Sequence, residues 1–306
     1  MSTPVLLVLA LILDAIAGEP RWLWSRVPHP AVLMGRAVGA LDKSWNGTNG
    51  TKLHGCIAIA ILVIGAGAIG WAISVLGPVA TTLGAAILLA QKSLVEHVRA
   101  VSEGLAQSEE AGRKAVAMIV SRDVSQSSAS DTARAAIESL SENFSDGVIA
   151  PAFWFLIAGL PGIMIYKVVN TADSMIGYLT PRHAQFGWAA ARLDDVLNWI
   201  PARITAVLIA LVGQSLSQWS AITRDAAHHR SPNAGWPEAA MARALSIALA
   251  GPRSYHGTIQ DLAWVNGTGR RDLTPVDIDA AITITWKAWG IAILVTASIG
   301  GISWAF

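Results

Sequence analysis

The 20 residues Ile57–Leu76, IAIAILVIGAGAIGWAISVL, contain no charged side chain. A run of this length and apolarity can cross the hydrocarbon core of a bilayer as a helix. Ala66 and Gly70 lie four positions apart, and small residues at this spacing let a second helix approach closely. Gly77 and Pro78 end the run. The stretch therefore predicts a membrane-spanning helix that packs tightly against a neighbour.

The composition of the whole chain agrees with a membrane protein. Of its 306 residues, 53% are hydrophobic and 14% are charged, whereas soluble domains carry about 25% charged residues. Most of the 13 Trp fall at the edges of apolar runs, as in proteins with aromatic belts at the bilayer surface. The 22 Lys and Arg nearly balance the 21 Asp and Glu, so we expect no nucleic-acid partner bound by charge. The single cysteine, Cys56, excludes an intramolecular disulfide framework.

Further apolar runs predict spans at 148–169, 199–216 and 289–306. The run 3–17 is a doubtful fifth span. We do not expect it to be a cleaved signal, because no basic residue precedes it. Val79–Ala90 is too short to span alone and is expected to return part-way or to continue as an amphipathic helix. We predict an all-α, polytopic integral membrane protein with about four or five transmembrane helices, amphipathic or re-entrant helices and polar loops, forming a single membrane-embedded domain over residues 1–306.

Carboxylates cluster just before the run 148–169. Glu138, Glu142 and Asp146 are spaced four apart and would form one stripe on a helix. Like charges at this spacing destabilise a helix unless a cation lies between them. With Asn143 they offer the hard oxygen ligands that Mg²⁺ takes. The alternative is an ordinary solvated face, which the absence of interleaved Lys or Arg disfavours.

A lysine inside an apolar run marks a second cluster. Lys167 needs an anionic partner at such a position, and phosphate is a natural one. Asn170 and Ser174 share its helical face, while Asp173 and Tyr178 lie close in sequence. The alternative for Lys167 is that its side chain reaches along the helix to the bilayer surface.

A third cluster precedes the run 199–216. Asp194 and Asn198 are four apart on the predicted helix, whereas Asp195 points about 100° away from Asp194. The two carboxylates therefore cannot both face one ion, and a helix cap is the alternative role for one of them. Arg203 at the start of the apolar run suits an anion or a carboxylate of this cluster, and Arg192 adds a second cation.

Smaller polar features lie elsewhere in the chain. His29 sits in the stiff segment Pro28-His29-Pro30, with an idle surface histidine as the alternative. Arg122 and Asp123 are an adjacent cation–anion pair. The turn Ser231–Glu238 leads into a helix expected near Pro237, whose backbone N–H groups can hold phosphate oxygens. The preceding pair His228-His229 is interpreted as surface.

In this order the motifs resemble one family, the membrane-bound adenosylcobinamide-phosphate synthases, or CbiB/CobD family, of cobalamin biosynthesis. The resemblance covers almost the whole chain and is carried by Leu13-Asp14 with Gly18-Glu19-Pro20, His29-Pro30, Ser121-Arg122-Asp123, Glu138–Pro151, Lys167–Thr180, Asp194-Asp195-x-x-Asn198-x-x-Pro201-Ala202-Arg203, Ser231–Ala242, and Gly251-Pro252 with Tyr255-x-Gly257. The family usually shows Gly-Asp-Pro where this chain has Gly18-Glu19-Pro20. It usually shows Ala-Gly-Ala-Leu where this chain has Ala242-Arg243-Ala244-Leu245, so Arg243 adds a charge.

The resemblance implies an ATP-dependent amide ligase that joins adenosylcobyric acid to aminopropanol phosphate, with Mg²⁺ and an acyl phosphate intermediate. It implies a multi-pass protein of the inner membrane whose site faces the cytoplasm, where ATP is found. That orientation requires a re-entrant or broken segment, and Leu160-Pro161-Gly162 is the expected break. Other membrane enzymes of the same pathway are expected partners, because the corrinoid must be handed on.

Residue type and placement assign roles within that reaction. The expected Mg²⁺ ligands are Glu138, Glu142, Asp146 and Asp173. Three of them, Glu138, Glu142 and Asp173, are also assigned to catalysis. The expected proton acceptors from the amine are Asp194, Asp195 and His29. The expected phosphate-binding cations are Arg122, Lys167, Arg192 and Arg203. The remaining expected substrate contacts are Asp123, Asn143, Asn170, Ser174, Tyr178, Asn198, Ser231, Asn233 and Glu238.

Two other functions fit a membrane protein with such clusters. A non-catalytic sensor or signalling protein of the AmpE-like type has no need for intact groups of carboxylate, Lys and Asn beside its spans. A transporter predicts polar residues central to the spans, whereas here most of them lie at the ends. The sequence therefore favours the ligase over both.

Overall fold

Helices dominate the computed structural model, which describes residues 1–47, 50–255, 258–260 and 263–305. The helices are α1 Thr3–Ala17, α2 Arg21–Trp24, α3 Pro30–Trp45, α4 Lys52–Val75, α5 Pro78–Leu88, α6 Gln91–Gln107, α7 Glu109–Val116, α8 Ala129–Phe144, α9 Ala150–Ile176, α10 Trp188–Val212, α11 Trp219–Ala227, α12 Gly235–Ala244 and α13 Pro275–Ala305. The predicted all-α class is confirmed.

Short strands occur near the carboxyl end of the chain. β1 Leu249–Ala250 pairs antiparallel with β4 Trp264–Val265. β2 Arg253–Tyr255 pairs antiparallel with β3 Thr258–Gln260. Gly257, at the end of the family-like tail, lies outside the described residues.

The helix starts follow from local sequence. Proline occupies the first turn of α1, α3 and α5, where its missing N–H costs nothing. The hydroxyl of Thr51 accepts the His54 N–H at 3.3 Å and caps α4. Ser128 caps α8 in the same way through the Asp131 N–H at 3.1 Å. Each cap satisfies a donor that the first helical turn leaves unpaired.

Within the described residues, five helical segments are long and apolar enough to cross a membrane. They are Lys52–Val75, Pro78–Gln107, Ala129–Ile176, Trp188–Val212 and Pro275–Gly301. The predicted number of four or five is confirmed, but the fifth segment differs. The run 3–17 forms the shorter helix α1, whereas Val79–Ala90 extends through α6 and so reaches spanning length.

The segment Ala129–Ile176 is helical but not regular. A π-helical turn, Ser145–Ile149, joins α8 to α9. A π-helical turn holds more residues than an α-helical turn, because its hydrogen bonds join residues five apart instead of four, so the register changes between Glu142 and Asp146. The predicted single stripe of Glu138, Glu142 and Asp146 is therefore wrong for the third member.

The break predicted at Leu160-Pro161-Gly162 is confirmed, with its centre one to two residues earlier. Ala158 and Gly159 leave the helical conformation, and Gly159 has φ 61° and ψ −151°. Pro161 explains the position, because its ring clashes with the preceding turn and disfavours helix at the residue before it. Gly159 has no Cβ and tolerates the positive φ. A re-entrant path for this segment stays a prediction.

The first of two compact units comprises residues 1–91, 146–198 and 295–306. Its core is built where α4 packs along α9, with α1, α3 and α5 beside them. A Cβ on Gly70 of α4 would lie 2.8 Å from Pro161 Cα and 2.9 Å from the Leu160 carbonyl oxygen. The predicted close packing at the Ala66–Gly70 pair is therefore confirmed, with the α9 break as the neighbour.

The second compact unit comprises residues 92–145 and 199–294. Here α8 packs against α7, α12 and β1, and α11 packs against α12. Ile137 and Leu140 of α8, Ile222 of α11 and Met241 of α12 are completely buried. Each unit combines separate stretches of chain, which the sequence did not indicate. The single domain over residues 1–306 stays a prediction.

Candidate functional site

An amide–carboxylate network lies in the first unit, between α9 and the start of α10. Asn198 donates its amide to Asp194 Oδ2 at 3.0 Å, and Asn170 donates to Asp194 Oδ1 at 3.2 Å. The Tyr166 hydroxyl lies 2.9 Å from Asn198 Oδ1. Both Asn198 and Tyr166 are buried. The network holds the Asp194 carboxylate in one orientation by two side-chain amides.

Two further carboxylates surround this network. Asp173 lies close enough to Asp194 and Asp195 for their charges to repel. Asp195 instead pairs with Arg192 Nη1 at 3.3 Å. Asp194 and Asp195 thus have different protein partners, as expected for adjacent positions on a helix. The Asp173–Asp194 pair is where a cation would relieve repulsion.

The other predicted residues of α9 have local roles. The Ser174 hydroxyl donates to the Asn170 carbonyl one turn earlier at 2.9 Å, and Tyr178 lies exposed after the helix ends. Lys167 is half-buried, and the carboxylates closest to its charge are Asp146 and Glu19. These carboxylates offset part of the Lys167 charge, and a phosphate partner for Lys167 stays a prediction.

His29 has a structural role at the start of α3. Its Nδ1 accepts the Ala31 N–H at 3.2 Å, which caps the helix, and its ring meets Trp24 edge-on at 4.5 Å. Burial lowers the pKa of His29 below 6.5, so the ring is neutral near pH 7. Because the basic nitrogen is already engaged, the structure favours capping over the predicted proton acceptance.

A second polar site, the polar cleft, lies within the second unit. It is a cleft of about 300 Å³ whose walls carry charged, amide and imidazole side chains. Its polar lining includes Ser121, Arg122, Glu138, Ser139, Glu142, Asn143, Asp225, His228, His229, Arg230 and Glu238. The volume is at the lower end of the range for ligand pockets. Since both acidic and basic groups line it, the cleft suits a polar ligand that carries charge.

Glu138 is fixed in the wall of the polar cleft. Its Oε2 accepts from Arg122 Nη2 at 2.9 Å, and its Oε1 accepts the Ala250 N–H of β1 at 2.8 Å. The side chains of the pair are only 10% and 14% exposed. Glu138 thus has a structural ion-pair partner that its own helix does not supply.

Other predicted residues stand at the rim. Glu142 and Asn143 are exposed, and Asn143 donates its amide to the Ser139 carbonyl at 2.9 Å. Asp123 accepts the Ser125 N–H at 2.9 Å and shapes the turn after α7. Glu142 therefore presents its carboxylate at the mouth of the cleft.

The segment before α12 lies between two groups of cleft-lining residues, His228–Arg230 and Glu238. The Ser231 hydroxyl accepts the N–H groups of Asn233 and Ala234, both at 3.2 Å, and the Trp236 N–H bonds to the Asn233 carbonyl at 3.0 Å. These three N–H groups are used inside the turn and are not open to phosphate, so phosphate binding by this segment stays a prediction. The helix begins at Gly235, two residues earlier than expected.

The carboxylates predicted to bind Mg²⁺ do not form one cluster. Among the described residues, no group of three or more His, Cys, Asp or Glu side chains is placed to hold a metal ion. Both oxygens of Glu138 already accept hydrogen bonds. Mg²⁺ in nucleotide sites needs only one or two carboxylates, because phosphates supply further ligands. Asp173 and Glu142 each meet that smaller requirement.

Comparison with known proteins identifies the family. A family model described as CobD/Cbib protein matches residues 7–285. The chain belongs to the CobD/Cbib family. Its relatives include proteins named cobalamin biosynthesis protein CobD, so the family places the chain in cobalamin biosynthesis. No solved structure matches the chain.

The similarity extends over nearly the full length of the relatives. The CobD protein of Sinorhizobium fredii is 48% identical over 302 residues, covering 93% of each chain. That of Rhizobium meliloti is 46% identical over 312 residues, covering 95% of each. That of Rhodobacter capsulatus is 41% identical over 301 residues, covering 94% of each.

The structure of this CobD/Cbib family member adds residues that the sequence analysis missed. His229 was interpreted as surface, but it lines the polar cleft with its Nε2 3.6 Å from Glu238 Oε2. Asp225 accepts from Arg243 Nη2 at 2.6 Å and from the Asn266 N–H at 3.1 Å. The additional Arg243 charge is thus neutralised. The nearness of His229 to the Ser231–Glu238 turn was the available signal.

Proposed function

We propose that this protein is an adenosylcobinamide-phosphate synthase, which joins adenosylcobyric acid to (R)-1-amino-2-propanol O-phosphate with hydrolysis of ATP. Membership of a cobalamin biosynthesis family supports the pathway. The single observation that carries the proposal further is the polar cleft, whose lining combines Arg122, Glu142 and His229 in one concave surface. Such a surface suits phosphate-bearing substrates, whereas a purely structural membrane protein has no need of it.

The proposed chemistry activates a carboxylate before the amide bond forms. The corrinoid carboxylate attacks the γ-phosphorus of ATP, so that ADP leaves and an acyl phosphate remains. The amine of aminopropanol phosphate then attacks the acyl carbon, the amine loses a proton to a base, and inorganic phosphate leaves. Phosphoryl transfer of this kind depends mostly on positioning and on stabilisation of charge. The protein's task is therefore to hold three anionic substrates and accept one proton.

The described residues supply groups for each part of that task. Asp173, or alternatively Glu142 at the cleft mouth, would hold Mg²⁺, whose charge would offset that of the phosphates. Asp194 is oriented by Asn170 and Asn198, as a proton acceptor must be. Asp195 remains the alternative acceptor. Glu138 is reassigned to holding Arg122 in the cleft wall.

A product assay tests the proposal directly. Membranes that carry the protein would be supplied with Mg-ATP, adenosylcobyric acid and aminopropanol phosphate. We expect the phosphorylated amide, one ADP for each amide formed, and no product when ATP is omitted. The absence of product beside an active control enzyme would reject the ligase. An AmpE-like sensor or a transporter would then be the remaining function.

Two variants link the activity to the site. Glu142→Gln removes a carboxylate at the cleft mouth, and Lys167→Ala removes a half-buried charge beside Asp146. We expect each to abolish product while the protein stays folded in the membrane. Lys43→Ala and Glu110→Gln, at exposed positions, should retain the parent rate. Parent-like rates in both site variants would show that the site lies elsewhere.

The pathway also implies a partner. We propose that the corrinoid product is handed to another membrane enzyme of cobalamin biosynthesis. Co-purification of the two proteins, together with faster overall turnover when both share one membrane, is the expected result. An isolated enzyme whose flux is unchanged by its neighbour would contradict the partnership without affecting the ligase.

A further inference from the structure

Arg203 lies among aromatic rings in the second unit. Its guanidinium carbon stands over the Trp199 ring, 4.4 Å from the ring centroid, and over the Trp236 ring at 4.6 Å. The ring centroid of Trp219 lies 5.7 Å from that of Trp236 and extends the aromatic group. Indole faces attract a guanidinium by cation–π interaction. Two rings therefore fix the plane of Arg203.

The hydrogen bonds of Arg203 leave part of the group available. Nη1 donates to the Trp199 carbonyl at 2.6 Å and to Asn233 Oδ1 at 3.2 Å. A guanidinium has five N–H donors, so the pair on Nη2 and the one on Nε remain. Among the described residues, none accepts from these three and no carboxylate pairs with the charge. One edge of the guanidinium is thus without a protein partner.

The position of Arg203 makes an uncompensated charge costly. The residue belongs to Trp188–Val212, a segment apolar enough to cross a membrane. Ionisable residues in such segments usually pair with an opposite charge or mark a functional site. Arg203 instead contacts two indole faces and the neutral amide of Asn233. These groups hold the cation without neutralising it. A guanidinium edge of this kind binds oxyanions through two parallel hydrogen bonds.

We propose that Arg203, framed by Trp199, Trp236 and Asn233, is a binding site for a phosphate group. Nη2 and Nε would donate to two phosphate oxygens, and the indoles would keep the fork in place. Lipid headgroups and dissolved phosphate esters share this chemistry. Arg203 is among the cations expected to hold a phosphate of the ligase substrates, but phosphate binding at this site does not depend on that reaction and can stand without it.

Ligand-dependent stabilisation tests this site. The purified full chain in a neutral maltoside detergent would be heated with increasing inorganic phosphate in one arm and phosphatidylglycerol in the other. Phosphatidylcholine serves as the neutral lipid and chloride as the ionic-strength control. A ligand that binds the folded state raises the midpoint of thermal unfolding. We expect a saturable rise in at least one of the two arms that chloride and phosphatidylcholine do not reproduce.

The two arms distinguish the source of the phosphate. A rise with phosphatidylglycerol alone identifies a lipid headgroup, and a rise with inorganic phosphate identifies a dissolved phosphate ester. Either result supports the site if it depends on Arg203. No specific rise in either arm would overturn the proposal.

Variants assign the effect to Arg203. Arg203→Gln should weaken the apparent affinity by about tenfold or more, since a charged hydrogen-bonding pair is lost. Arg224→Gln, at an exposed position of α11, should bind as the parent does. Asn233→Asp keeps the shape of the side chain but places a carboxylate against Arg203, so it should also suppress binding. It serves as the test if Arg203→Gln does not fold. Binding of Arg203→Gln with the affinity of the parent protein would overturn the proposal. If Arg203→Gln does not fold, the same result in Asn233→Asp would overturn it.

Discussion

At the scale of single residues, Glu138 is a buried charge that stabilises the fold through its hydrogen bonds. Its two oxygens accept from Arg122 and from the Ala250 N–H. Glu138→Gln would remove the carboxylate from its largely buried ion pair with Arg122. We expect the free energy of unfolding to fall by about 3 kcal/mol. Chemical unfolding of the detergent-solubilised protein, followed by circular dichroism, measures it.

An exposed ion pair provides the matched control for Glu138. Glu109 pairs with Arg113 on α7 at 3.2 Å, with 60% of its side chain exposed. Glu109→Gln should cost no more than about 0.5 kcal/mol, because water screens such a pair. Equal stability of the two variants would contradict a structural role for Glu138. Replacing Arg122 as well should recover part of the loss, since the cation of the buried pair is then gone.

The burial of His29 leads us to expect that stability depends on pH. Burial lowers its pKa in the folded state below 6.5, although Glu19 opposes this shift, while Lys167 adds to it. The unfolded chain therefore binds a proton more readily, and stability present above about pH 6.5 is lost as the pH falls through the folded-state pKa. In His29→Asn, which keeps a cap acceptor, this contribution is absent.

Comparing the parent protein with His29→Asn separates the contribution of His29 to the pH dependence from that of the other histidines. The parent should lose unfolding free energy more steeply than His29→Asn between about pH 7 and pH 5. Denaturant midpoints measured across that range give the difference. Parallel pH profiles would show that His29 titrates alike in the folded and unfolded states.

At the scale of secondary-structure elements, the contact between α4 and the break in α9 depends on Gly70. A Cβ there would come within 2.9 Å of the Leu160 carbonyl oxygen and even closer to Pro161 Cα, both backbone atoms. Because backbone atoms cannot move aside as a side chain can, Gly70→Ala should destabilise the protein by about 1 to 3 kcal/mol. The same unfolding measurement tests it.

Gly65 on the same helix is the matched control for Gly70. A Cβ at Gly65 would meet no atom within 4 Å. Gly65→Ala should therefore be neutral or stabilise the protein by about 0.5 to 1 kcal/mol, because alanine is the better helix former. If the two substitutions had the same effect, the close approach of α4 to α9 would be wrong.

These elements also show what a sequence can and cannot predict. The Ala66–Gly70 spacing, the break at Pro161 and the Asp194–Asn198 pair were predictable, because each depends on residues within one helical turn. The partner of Glu138 was not, because the chain brings Arg122 back to it from outside α8. His229 was missed for the same reason. Sequence spacing determines which side chains are neighbours on one helix, whereas contacts between distant parts of the chain depend on tertiary packing.

At the scale of the whole molecule, each of the two units contains a cluster of charged side chains. In the first unit they surround the amide network at Asp194 and the charge of Lys167. In the second they line the polar cleft. Little of the 14% charged fraction is needed as a solubilising coat if the apolar helices lie in lipid. The charges in these two clusters are therefore the candidates for binding and catalysis.

The proposed use of ATP predicts the side of the membrane on which the polar cleft opens. Cys56 is the only cysteine of the chain, so Cys56→Ser provides a background without thiols. His228→Cys then places one thiol at an exposed position of the cleft lining. A membrane-impermeant maleimide should label it in inside-out vesicles but not in intact spheroplasts, because ATP is cytoplasmic. Mg-ATP should slow the labelling by occupying the cleft. Labelling from the outer side alone would separate the cleft from ATP, and the nucleotide would then have to bind elsewhere on the chain.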